Sequence, residues 1–152
     1  MIRFVVYGRP APQGSKRHVG RGIMVESSKH LRPWREDVRA AALGTMDFQD
    51  WSTGRAGIHL PFPLDCALRV RMVFTLAKPA SAPKRKTTYP DRMPDLSKLV
   101  RATEDAITSA GLWKDDARVV EMTAAKRYPN EGTDALDRPG CVIVVAPMEG
   151  ST

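Results

Sequence analysis

The sequence predicts an α+β fold: one domain in which a mixed β-sheet is covered by two main helices. Three observations lead there. Two stretches, 29–43 and 94–110, repeat apolar residues at helical spacing. Four short runs, at 2–7, 64–76, 118–127 and 141–146, have the length and composition of strands. The 152 residues, 42% hydrophobic and 27% charged, suit a single modest core.

The elements follow in order. Ile2 to Tyr7, rich in Phe and Val, is the opening strand. Gly8 to Arg17 is a Pro/Gly loop that ends in cations. It lacks the glycine and lysine spacing of a nucleotide P-loop, so that reading is set aside. His18 to Ser28 reads as a hairpin or irregular loop turning at Gly20 and Gly22. Lys29 to Leu43 is a helix whose apolar stripe is Leu31, Trp34, Val38, Ala41 and Ala42, with Arg32, Arg35 and Arg39 off that stripe. Trp34 belongs in the core in preference to a base-stacking role.

Gly44 to Pro63 is weakly patterned and reads as a loop with at most a short helical turn. Leu64 to Leu76 is the longest strand; its imperfect alternation places it near the middle of the sheet. Lys78 to Arg92 is a second Pro-rich basic loop. Strand, basic loop and helix thus occur twice in order, without enough identity to form a repeat. Arg118 to Arg127 and Cys141 to Ala146 are the closing strands, expected as a wide hairpin joined by the polar segment 130–138. The domain is expected to run from 1 to 148, with 149–152 a frayed tail.

Charge narrows the function. The net charge is +7, and the first 40 residues carry nine Lys/Arg against Glu26, Glu36 and Asp37. Such a balance favours a polyanionic partner, nucleic acid first. Cys66 and Cys141 sit far apart in apolar runs and are expected as free thiols of an intracellular protein. No apolar run approaches membrane-spanning length and no signal-peptide pattern opens the chain, so no membrane association is expected. His18, His30 and His59 are scattered and neither Cys pairs with a His, which argues against zinc.

The stretch from Pro94 to Val120 organises the rest. Leu96, Leu99, Val100, Thr103, Ala106, Ile107 and Ala110 share one helical face, and Ser97, Arg101 and Asp105 lie opposite, with Lys98 and Glu104 on the borders. Pro94-Asp95 marks the start and Gly111 the stop. Trp113-Lys114-Asp115-Asp116 then leads into a strand. The residues alone leave two readings open. Asp95 is either a plain helix N-cap or a ligand, and Asp115-Asp116 is either a polar turn or the other half of an acidic site.

The whole string resembles the signature of the RusA family of Holliday junction resolvases. The family pattern is P-D-x-D-N/K-L-x-K/R-x-x-x-D-A-L followed by D-D-x-Q/R-V. Here it reads Pro94-Asp95-Leu96-Ser97-Lys98-Leu99, Arg101, Asp105-Ala106-Ile107, and then Asp115-Asp116-Ala117-Arg118-Val119. One position departs: Ser97 stands where the family has its second Asp.

The resemblance implies a homodimeric, Mg²⁺-dependent endonuclease (Mn²⁺ as an alternative ion) acting on four-way DNA junctions in the cytoplasm of a bacterial or phage-infected cell. It implies metal roles for Asp95, Ser97 and Asp116 and a catalytic cation at Arg101, where the best-studied relatives have Lys. Arg stays protonated, so Arg101 is expected to stabilise charge and not to move protons. Asp115 is the expected stand-in for the missing carboxylate, with Ser97 acting weakly through a water. Asp105 is expected to pair with Arg101 four residues away. Phosphate contacts are expected from Lys16, Arg17, Lys84, Arg85, Lys86 and Lys98. The alternative is a branched-DNA-binding protein that cuts poorly or not at all because Ser97 replaces a ligand.

Overall fold

The computed structural model describes residues 1–14, 16–18, 20, 24–26, 29–52 and 61–151; the side chains of 16–18, 24–26 and 49–52 lie outside that description. Alternation builds the sheet. Ile2, Phe4 and Val6 of strand β1 (Ile2–Tyr7) are buried, as are Leu68, Val70, Met72 and Phe74 of β4 (Leu68–Thr75). A side-chain period of two puts each set on one face. Between these strands in sequence come a small hairpin, β2 (Lys16–His18) with β3 (Met24–Glu26), and helix α1 (Leu31–Ser52). Helix α2 (Leu96–Ala110), β5 (Val119–Arg127) and β6 (Gly140–Pro147) complete the chain, with one 3₁₀ turn at Asp116–Arg118.

The main sheet has the order β1-β6-β4-β5. β6 runs antiparallel to both neighbours, and β4 and β5 are parallel, so the sheet is mixed as expected. β4 has a partner on each side, which bears out its central placement. The closing strands do not form a hairpin, however. The parallel β4–α2–β5 unit lays β5 on the outer side of β4, and β6 inserts between β4 and β1. Composition explains the choice. Cys141, Val142, Ile143 and Val145 of β6 are buried, whereas β5 carries Glu121, Lys126 and Arg127 and keeps only partial burial. A nearly continuous apolar run suits the sheet interior and the more polar run suits an edge.

Both helices pack on the face formed by the alternate apolar residues. Trp34, Val38 and Ala42 of α1 meet Leu99, Ala102, Ala106 and Ile107 of α2 in one core. Trp34 is fully buried, stands 6.5 Å from the Phe74 ring, and donates its indole N–H to the Thr103 hydroxyl at 3.2 Å. Thr103 passes the bond on to the Leu99 carbonyl at 2.8 Å, so both buried polar groups are satisfied. α1 is longer than its apolar stripe predicts, running through residues 44–52 of the segment 44–63 that is expected as a loop with at most a short helical turn; residues 53–60 of that segment lie outside the described residues.

Two glycines have structural reasons. Gly111 ends α2 in the left-handed region at φ 82°, where its N–H and that of Leu112 return to helix carbonyls. Gly140 pairs with Tyr7 so closely that a side chain would run into the Val6 carbonyl. Both cysteines are free thiols. At the end of the chain Met148 donates to the Ala67 carbonyl at 2.9 Å, and Ser151 closes a turn onto Met148.

Candidate active site

Asp95 occupies the N-cap position of α2, in extended conformation, but its side chain makes no capping hydrogen bond. The plain-cap reading therefore does not describe it. Its backbone carbonyl accepts from Leu99 N–H at 3.1 Å and starts the helix, while its exposed carboxylate lies 3.6 Å from the Lys98 ammonium. A carboxylate at a helix N-terminus is electrostatically favoured. Here it remains free to bind something else.

Asp115 is different. It caps the 3₁₀ turn, accepting from Ala117 N–H at 2.7 Å. That bond first, then one shared with Asp116, then the charge of Arg118, hold its carboxyl below the usual range. Arg118 and Lys114 both reach Asp65, at 2.6 and 2.8 Å, and tie the turn to the segment before β4. Asp116 is exposed, and its charge is felt on α2. Burial raises the Glu104 carboxyl above its usual value, with the Asp116 and then the Asp105 charge adding to the rise.

Sequence reading places Glu104 on the border of the α2 face, too far along the helix from Ser97 to share an ion with it, and gives it no site role. Its signal was present in its border position on the α2 wheel, which lets a half-buried carboxyl face the following turn. Asp95 and Glu104 are nine residues apart on α2, about 13 Å of axial rise. The acidic residues accordingly do not gather into one cluster: among the described residues, no three Asp, Glu, His or Cys side chains are grouped to hold a single ion. The expected convergence of Asp95, Asp115 and Asp116 is not seen within one chain. Ser97 is exposed on the first turn of α2.

The cations are ordered around the start of α2. Lys126 of β5 donates to the carbonyls of Arg92 at 2.8 Å and Pro94 at 2.9 Å. Lys78 donates to the Lys86 carbonyl at 3.1 Å and to Glu131 at 2.8 Å, and the Arg127 guanidinium lies 5.6 Å from the Tyr89 ring centre. These contacts brace the 78–92 loop at both ends and leave Lys84, Arg85 and Lys86 exposed, with no ion pair among the described residues. Arg101 is also exposed, and the expected pair with Asp105 is not formed. The first Pro-rich loop crosses the same end of α2, where Gln13 N–H donates to the Lys98 carbonyl at 3.0 Å. Lys16 and Arg17 sit on β2 just beyond it, and their side chains lie outside the described part.

An open groove of about 810 Å³ adjoins this end of the helix, with Arg9, Arg92, Met93, Pro94 and Tyr128 among its walls. Exposed carboxylates, exposed cations and an open groove beside them are the ingredients of a phosphodiester-cutting nuclease.

The family model for endodeoxyribonuclease RusA matches residues 8–134, most of the chain. The chain therefore belongs to the RusA endodeoxyribonuclease family, whose activity is that of a Holliday junction resolvase. No curated protein matches the sequence significantly. Among the described residues, no helix is long and apolar enough to cross a membrane.

Proposed function

We propose that this protein is a Mg²⁺-dependent, structure-specific endodeoxyribonuclease that cuts four-way DNA junctions by paired symmetric hydrolysis, working as a homodimer in a bacterial or phage-infected cytoplasm. The observation that carries the reading is Asp95: a carboxylate fixed at the start of α2 that forgoes the capping bond its position offers.

The proposed ion asks for few protein ligands. Nuclease Mg²⁺ characteristically takes one or two protein carboxylates, the substrate's own phosphate oxygens and waters, and needs no all-protein cage. Asp95 and Asp116 are the exposed carboxylates on which such an ion would draw, while Asp115 accepts the backbone bond of its cap. Held there, the ion would supply Lewis acidity at the phosphate and would lower the pKa of a bound water.

The chain's own residues do the rest. Lys84, Arg85 and Lys86 take hold of the backbone, Lys98 holds the Asp95 carboxylate at 3.6 Å, and Arg101 faces the developing charge on the phosphate without giving up a proton. A two-fold dimer presents two such sites, which suits two symmetric cuts.

A second reading is a junction-binding protein with weak or no cleavage. Ser97 favours it, being a neutral hydroxyl in place of a carboxylate. Incubating a synthetic four-way junction with protein and Mg²⁺ or Mn²⁺, beside a gel shift in EDTA, separates the two. Paired nicks support the enzyme, and a shift without nicks at any metal concentration supports the binder.

A further inference from the structure

A second group of cations lies on α1, across a groove from the far end of α2. Arg32, Arg35 and Arg39 fall within one narrow stripe of α1, spanning eight residues and about 10 Å of axial rise. They rim an open groove of about 410 Å³ whose other wall is Ala106 and Ser109 of α2. Ser109 is 14 residues from Asp95, about 21 Å along the helix. The groove is therefore remote from the cations that surround the start of α2.

The stripe is not neutralised by its own helix. Glu36 pairs with Arg32 at 3.2 Å, but both side chains are largely exposed and such pairs are weak. Asp37 turns its carboxylate onto the backbone at Gly8, away from the groove. Among the described residues, no ion pair engages Arg35 or Arg39. Guanidinium groups in a row, set in a concave surface, match the convex and regularly charged edge of a nucleic-acid backbone.

We propose that Arg32, Arg35 and Arg39 form a second DNA-backbone site, which holds one duplex arm of a branched substrate while the other end of α2 engages the strand to be cut. This rests on the nuclease reading above. A cationic groove on α1 that faces α2 at Ser109, about 21 Å along the α2 axis from Asp95, lets a substrate whose arms diverge fill both ends. A straight duplex held at the first site does not need the second. The stripe thereby contributes to preference for branched DNA without touching the reaction.

The test is binding in EDTA, where no cutting occurs. Affinities of wild type and of the Arg35→Gln, Arg39→Gln double variant are measured against KCl concentration, for a four-way junction and for a linear duplex of one arm's sequence. Two lost phosphate contacts flatten the junction's log–log salt slope by about 2. The duplex slope is expected to stay the same, and the Arg35→Lys, Arg39→Lys pair is expected to restore most of the junction slope. Thermal unfolding of each variant checks the fold, and the lysine pair carries the test with Arg32→Gln if the glutamine pair unfolds. An unchanged junction slope in a wild type that cuts junctions overturns this inference alone. Equal losses on junction and duplex also overturn it. A wild type that binds no junction overturns both this inference and the reading beneath it.

Discussion

The Lys126 ammonium donates to the Pro94 carbonyl at 2.9 Å, joining the outer strand of the sheet to the residue just before Asp95. A second bond from the same ammonium, to the Arg92 carbonyl at 2.8 Å, fixes the end of the basic loop. Lys126 is thus a positioning residue. Lys126→Met keeps the aliphatic stem and removes both bonds. We expect a stability loss of about 1–2 kcal/mol, the scale of hydrogen bonds to a charged group. Junction cleavage is expected to drop by roughly 10–100-fold, as for lost support behind a ligand. Denaturant unfolding and single-turnover cleavage check the two halves; undiminished cleavage would mean that Asp95 needs no support from the sheet.

Asp95 and Asp115 should separate by phenotype. Asp95→Asn removes a charge that makes no cap bond, so the unfolding midpoint is expected to fall only slightly, by the helix-dipole and Lys98 contributions. Cleavage is expected to fall by about 100-fold or more, the scale of losing a direct electrostatic contributor. Asp115→Ala removes a cap at 2.7 Å and is expected to lower the midpoint, with a smaller effect on cleavage. The opposite pattern would return Asp95 to a purely structural role.

Acid and base dependence follows from opposite shifts. Burial first, and then Asp116, raise Glu104 above its usual 4.5. A raised carboxyl favours the fold at low pH and loses that contribution as pH climbs through the raised value. Glu104→Gln removes the disfavoured charge. Because the group is only half buried, screening keeps the gain small: on the order of 1–3 °C in unfolding midpoint at pH 7, vanishing below about pH 4. Asp65 and Asp134, held down by Lys114 with Arg118 and by Arg71 with Arg3, act in reverse. Their contribution is present above the usual carboxylate range and is lost as pH falls through their lowered values. Midpoints measured from pH 3 to 8 resolve both directions; no gain for Glu104→Gln at pH 7 contradicts the assignment.

The braced loop predicts a salt effect. Replacing Lys84, Arg85 and Lys86 by Ala should flatten the log–log salt dependence of junction binding by about 2–3 units if each meets a phosphate. The unfolding midpoint is expected to hold, because these side chains are exposed while Lys78 and Lys126 do the bracing. An unchanged slope rules the contacts out.

Much of this was legible in the sequence. The α2 stripe from Leu96 to Ala110 placed the helix and its stop at Gly111, and the Ile2–Tyr7 and Leu64–Leu76 runs placed two strands, because periodicity reports burial directly. Strand order was not legible from spacing. The expected hairpin of the last two strands overlooked a cue in composition: β6 is apolar along most of its length and β5 is not. The helical segment 44–52 was hidden because its amphipathic signal weakens beyond Ala42. At the site, chemistry was readable and geometry was not. Sequence put Asp95, Asp115 and Asp116 in one set, but only packing distinguishes a carboxylate already used as a cap from one that is free. Glu104 and Lys126 act through the turn and loop packed beside them, and sequence spacing does not carry such contacts.

The central claim is metal-dependent junction cutting by a chain with Ser97 in place of a carboxylate. It is tested most directly by titrating Mg²⁺ against cleavage of a four-way junction, with wild type and Ser97→Asp side by side and both nick positions mapped. We predict paired, symmetric nicks from the wild type, with half-maximal cleavage at a lower Mg²⁺ concentration for Ser97→Asp. Junction binding with no nicks from the wild type at any Mg²⁺ or Mn²⁺ concentration would contradict the claim and leave a binding protein.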